Sequence, residues 1–92
     1  MNEYNPPQKV DSIMSNKEKY DEAFAEGLAV DKATIKLGLK YNEIPEWDSI
    51  GHMSLIGALE EKFGISMDTT DIVEFGSYEK GIEIMKKYQV EI

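Results

Sequence analysis

The chain has 92 residues and a formal net charge of −8, with 18 acids against 10 bases, one histidine and no cysteine. That length makes one domain with a modest core and little room for a deep cleft. Without cysteine there is no disulfide framework, thiolate metal site or cysteine nucleophile, and the single His52 excludes a multi-histidine metal site.

Every basic residue is a lysine, so no guanidinium can clamp a phosphate or carboxylate. The charge is uneven: residues 1–40 come close to balance, whereas residues 41–92 hold most of the acids. Such a half repels nucleic acid and anionic lipid and attracts a basic protein surface. No apolar run is long enough for a bilayer span, and the polar start lacks a signal-peptide core, so the expected location is the cytoplasm and no membrane partner is expected.

Residues 1–14 contain Pro6-Pro7 and no usable period, and are expected to form a flexible tail, with Met14 a possible alternative start. The domain is expected over 15–92. Ser15 to Glu18 has capping-box spacing, and Tyr20, Ala23, Phe24 and Leu28 then follow at helical intervals, with Asp21, Glu22 and Glu26 opposite. A helix is predicted from about Lys17 to Val30, weakened slightly by Gly27.

Residues 31–47 alternate apolar and polar for part of their length, but nothing else in the chain offers a partner strand. They are predicted to be a long loop whose Ile35, Leu37, Leu39, Tyr41 and Ile44 tuck over a helical core. Pro45 holds Ile44 out of helical geometry.

Asp48 is then the N-cap of a second helix, with its carboxylate available to the N–H of Ile50 or Gly51. Ser49 is its first residue and Gly64 follows its end at Phe63. This helix carries two apolar stripes. One, of His52, Leu55, Ile56, Leu59 and Phe63, suffices to face a core. The other, of Ile50, Met53 and Gly57, starts beside Ser49 and is either more core or an exposed patch for a partner. A short helix is predicted over Thr69–Glu74 with Ile72, Val73 and Phe75 inward. A last helix is capped by Ser77, with Tyr78, Ile82, Met85 and Tyr88 inward and Lys86 and Lys87 at its C-terminal end. The fold class is therefore all-α: a small antiparallel four-helix bundle, three main helices plus one short one, with a long first loop.

Ser49 is the chemical candidate. Because Asp48 is the better cap, the serine hydroxyl is left to point outward, where the helix dipole and unpaired N–H groups favour an anion. Asp48, Ser49 and His52 have the residue types of a hydrolytic triad, but Trp47 stands where a nucleophile elbow needs glycine, and no second segment supplies an oxyanion hole. No enzyme activity is expected, and His52 is assigned to the core edge or a partner surface. Asp68, Asp71 and Glu74 lack the pattern of a calcium loop. They read as a solvated acidic face, as do Glu60, Glu61, Glu79 and Glu83, with docking of a basic partner as the sharper reading.

Asp48-Ser49-Ile50, followed by an apolar helix ending Ala58-Leu59-Glu60-Glu61-Lys62-Phe63-Gly64-Ile65, resembles the acyl carrier proteins over about Ser15 to Tyr88. The resemblance implies 4′-phosphopantetheine attached to Ser49, with Asp48 as motif residue and helix cap. It also implies a thioester-bound acyl cargo of the kind used in fatty acid biosynthesis and lipid metabolism, carried by a monomer. The implied partners are a phosphopantetheinyl transferase, an acyl-loading ligase or synthase, and an acyltransferase. Ile50, Met53, Glu60, Glu61, Asp71 and Glu74 would form the partner surface, and Leu55, Ile56, Leu59 and Ile72 the walls of an acyl pocket. Gly51 and Ser54 replace acids usual in housekeeping carriers, and Glu46-Trp47 replaces their Gly-Ala or Gly-Leu, so a specialised pathway is expected. An aminoacyl or peptidyl cargo, and an unmodified helical interaction module, stay open.

Overall fold

The structure is a computed structural model and describes residues 15–92; the expected tail over 1–14 lies outside the described residues. In chain order it has α1 (Asn16–Leu28), a 3₁₀ turn (Lys32–Thr34), α2 (Ser49–Phe63), α3 (Thr69–Glu74) and α4 (Tyr78–Lys86). The architecture is all-α among the described residues, and β pairing there amounts to one isolated antiparallel bridge, Lys40 to Ser77.

Each main helix starts where a side chain can cap it. Ser15 Oγ accepts from the N–H of Glu18, and Glu18 Oε1 accepts from the N–H of Ser15, both at 3.1 Å. This is the reciprocal capping box that the Ser-x-x-Glu spacing encodes. Ser77 caps α4 by accepting from the N–H of Lys80 at 3.0 Å. Tyr20, Ala23, Phe24 and Leu28 of α1 are buried, as are Leu55, Ile56 and Leu59 of α2.

Gly27 has a positive reason to be glycine. A Cβ there would lie 2.6 Å from Leu55 Cα, because the backbones of α1 and α2 cross at that point. Gly27→Ala therefore sets a helix-propensity gain of about 1 kcal/mol against an overpacking cost of about 1–3 kcal/mol. Since the obstructing atom is backbone, net destabilisation is expected in urea unfolding; a stabilised variant would contradict the close crossing.

The loop departs from expectation in part. Leu39 is buried and Ile35 and Ile44 are partly buried, but Leu37 is 60% exposed and Tyr41 lies at the surface. What holds the loop is pairing to the start of α4: the Tyr41 N–H donates to Gly76 O at 3.0 Å and the Tyr78 N–H to Leu39 O at 2.9 Å. A second surprise is Trp47, which is fully buried, edge-on to Phe24 at 5.4 Å between ring centroids. Asn42 makes this possible by adopting φ 68°, which asparagine tolerates, and by donating its N–H to Trp47 O at 2.9 Å.

Of the residues expected inward on the last two helices, Val73 is not. Val73 is 75% exposed, because Asp71 and Phe75, four apart, define the inner face of α3 and Val73 falls between them on the outer side. On α4 the buried face is centred on Tyr78, Gly81, Ile84 and Met85, and Ile82, with Tyr88 beyond the helix end, packs against the core only partly buried. The rotation follows from a polar clasp between α4 and α1. Tyr20 donates its hydroxyl to Tyr78 O at 2.7 Å, and Tyr78 donates its own to the Asp21 carboxylate. Burial first, and then the bond to Asp21, push the Tyr78 hydroxyl up to about 12.

Candidate functional site

Ser49 opens α2 and is exposed. The cap is made by Asp48, whose Oδ1 accepts from the Gly51 N–H at 2.8 Å, while Asp48 O accepts from the His52 N–H at 2.7 Å. The Ser49 hydroxyl is thus not needed for the cap. The N–H groups of Ser49 and Ile50 sit in the first turn, where a helix offers no acceptor of its own. Gly51 lets the preceding loop lie against this turn, since a Cβ there would run into the carbonyl oxygen of Glu46. An acid at position 51 is excluded by that backbone, a steric reason for what the sequence shows only as a missing charge.

The second apolar stripe of α2 is surface: Ile50 is 80% and Met53 57% exposed, and Gly57 is exposed too. Glu61 and Glu74 are also exposed. Glu60 is half-buried and accepts from the Met67 N–H at 2.9 Å, so part of its carboxylate orders the chain after α2.

Asp71 is the clear departure. It is 5% exposed, and its carboxylate accepts from the Tyr88 hydroxyl at 2.6 Å and from Lys87 Nζ at 2.9 Å. The Tyr88 oxygen in turn accepts from the Asp68 N–H at 2.9 Å. Asp71 therefore ties α3 to the end of α4 and is not a solvated surface acid. The sequence held a signal in Lys87 and Tyr88, but only the approach of the two segments brings it to Asp71.

The Tyr88 bond, followed by Lys87, holds the Asp71 carboxyl below its ordinary value. A group with a depressed folded-state value stabilises the fold fully above the ordinary carboxylate range, and that contribution is lost as pH falls through the folded value. The melting temperature of the wild-type chain should therefore fall more steeply below about pH 4 than that of Asp71→Asn. Parallel curves for the two proteins would show that the clasp carries no such contribution.

His52 joins three elements. Trp47 Nε1–H donates to His52 Nδ1 at 3.0 Å, so the ring proton sits on Nε2, which donates to Ile72 O at 2.8 Å. The Trp47 and His52 ring planes are nearly parallel, 15° apart. With both nitrogens engaged, His52 is not available as a base for Ser49.

Beside Ser49 lies a cavity of about 410 Å³ lined by Tyr41, Ser49, His52, Met53, Ile72, Val73, Phe75 and Gly76. No charged side chain lines it among the described residues. Of the four expected acyl-pocket residues only Ile72 is a wall; Leu55, Ile56 and Leu59 are packed into the core and do not reach this cavity. The residues that replace them come from the loop, α2, α3 and the 75–76 junction, so no local pattern in the sequence marks them as a set. Among the described residues no helix is long and apolar enough to cross a membrane. Comparison of the chain with protein-family models and with curated proteins found no match.

Proposed function

We propose that the protein is a discrete acyl carrier, an antiparallel four-helix bundle that bears 4′-phosphopantetheine on Ser49 and acts as a cytoplasmic monomer. The observation that carries this reading is the placement of Ser49. Its residue is exposed at the entrance of a 15-residue helix whose cap is supplied by the neighbouring aspartate. Ser49 would hold the group, and the helix entrance favours its phosphodiester. When bound, the group supplies a terminal thiol that holds an acyl cargo as a thioester, so a chain without cysteine could serve thioester chemistry.

The chain's own residues would then present and dock. Ile50 and Met53, exposed next to Ser49 on α2, form an apolar contact for partner enzymes, with Glu61 of α2 and Glu74 of α3 as exposed acids. The partners would be a phosphopantetheinyl transferase, a loading ligase or synthase and an acyltransferase of a specialised pathway. The carrier itself is not a catalyst on this reading, which agrees with the occupied ring nitrogens of His52. The test is incubation with coenzyme A, magnesium and a broad phosphopantetheinyl transferase, read by intact mass. Gain of the phosphopantetheinyl mass at Ser49 is expected; no gain, while a known carrier is modified in parallel, would overturn the reading.

A further inference from the structure

We infer that His52 is a positioning residue: it holds α3 in register with Ser49, so that α2 and α3 present one recognition surface to the enzyme that modifies the serine. The inference rests on the carrier reading and gives a task to a side chain for which that reading has no use.

The first ground is how little else holds α3 against α2. Six residues are too few for a helix to stand by its own hydrogen bonds, so tertiary contacts set its place. Asp71 ties its inner side to the end of α4 through Tyr88 and Lys87. On the α2 side, the bond from His52 Nε2 to Ile72 O at 2.8 Å is the only hydrogen bond between the two helices among the described residues. It also meets a need of α3 itself. Ile72 O lies in the last turn, where a helix runs out of its own donors, and its backbone partner, the Phe75 N–H, is 3.4 Å away.

The second ground is the relay behind His52. The Trp47 Nε1–H occupies Nδ1 at 3.0 Å, which leaves Nε2 as the nitrogen that carries the proton and donates. The indole is fully buried, so the imidazole is held from a fixed point. Trp47 stands two residues before Ser49 and His52 three after it, so the relay brackets the serine. The carbonyl of Ile72 is therefore pinned to the same stretch of backbone that presents Ser49.

The third ground is what the pinned carbonyl carries. Val73 and Glu74 directly follow Ile72, and both are exposed. Val73, Met53 and Ser49 line one cleft. Fixing Ile72 O thus sets where an apolar and an acidic side chain of α3 stand relative to the serine. An enzyme that reads both helices must order α3 itself once the bond is gone, which costs binding and leaves the chemistry at Ser49 untouched.

The experiment measures phosphopantetheinyl transfer from coenzyme A to the full chain by a broad transferase with magnesium, at varied carrier concentration. The substitutions split the relay. The side-chain amide of His52→Gln reaches the place of Nε2 and keeps a donor for Ile72 O. The shorter amide of His52→Asn keeps an acceptor for Trp47 and falls short of Ile72. KM should rise about tenfold in His52→Ala and His52→Asn, the factor that one lost hydrogen bond represents, with kcat nearly unchanged. His52→Gln should restore most of the wild-type KM. Tyr20→Phe, which removes a hydroxyl bond between α1 and α4, controls for stability alone and should leave KM as it is. An unchanged KM in His52→Ala, no difference between His52→Gln and His52→Asn, or an equal rise in Tyr20→Phe would overturn the inference. If Ser49 of the wild-type chain accepts no arm, the carrier reading fails separately, and the positioning role is judged by amide hydrogen exchange. Faster exchange at Ile72 and Phe75 in His52→Ala and His52→Asn, but not in His52→Gln, supports it. Unchanged exchange in His52→Ala overturns it.

Discussion

Trp47→Ala is expected to destabilise the fold by about 3–5 kcal/mol, the range for removing a large aromatic from a core. The indole is fully buried, edge-on to Phe24, and donates to His52 Nδ1 at 3.0 Å. Three things are lost together: the packed volume, the aromatic pairing and the donor that keeps His52 in place. Domains have total stabilities of about 5–15 kcal/mol, so the variant approaches the threshold of folding. Urea unfolding followed by far-UV circular dichroism reads the loss without relying on tryptophan fluorescence, which the variant lacks because Trp47 is the only tryptophan. Trp47→Phe separates the terms. It keeps most of the apolar volume, deletes the donor to His52, and should cost less, about 1–3 kcal/mol. A cost under about 1 kcal/mol for Trp47→Ala would mean that the loop does not depend on this side chain.

Ser49→Ala is expected to abolish phosphopantetheinylation while leaving the melting temperature nearly unchanged. The first part follows from the proposed attachment, since alanine offers no oxygen for the phosphodiester. The second follows from the geometry, because the cap of α2 comes from Asp48 and the Ser49 side chain is exposed. Asp48→Ala should behave in the opposite way for stability. It keeps the serine but strips the acceptor from the Gly51 N–H, at a cost of about 0.5–2 kcal/mol. Intact mass and thermal unfolding of the two variants side by side check both parts. Residual modification of Ser49→Ala would place the attachment elsewhere, and a large stability loss in Ser49→Ala would give the hydroxyl a structural task that the exposed position does not explain.

How far apart two interacting residues lie in the chain decides whether their contact is legible in it. Ser15 with Glu18, Asp48 with Gly51, and Ser77 with Lys80 are each three residues apart, and all three helix starts were legible. The inner face of α1 was legible too, because a long apolar period leaves one rotation for the helix, whereas α2 offered two apolar stripes and only the fold left Ile50 and Met53 at the surface. The six residues of α3 allow no such averaging, and Val73, expected inward, is exposed. On α4, Ile82 and Ile84 compete for the core, and the choice of Ile84 depends on how Tyr78 meets Tyr20 and Asp21 some 57 or 58 residues away.

The candidate site divides along the same line. Ser49 at a helix entrance, its aspartate cap and the apolar stripe beside it follow from residues within a few positions of one another, whose contacts the helix itself dictates. The burial of Trp47 and Asp71, the two hydrogen bonds of His52 to Trp47 and Ile72, and a cleft walled by Tyr41, Phe75 and Gly76 were decided by tertiary structure alone. Each depends on a loop or a short helix docking against a distant segment. Such docking is settled by packing and by satisfying buried polar groups, neither of which leaves a periodic trace in the chain.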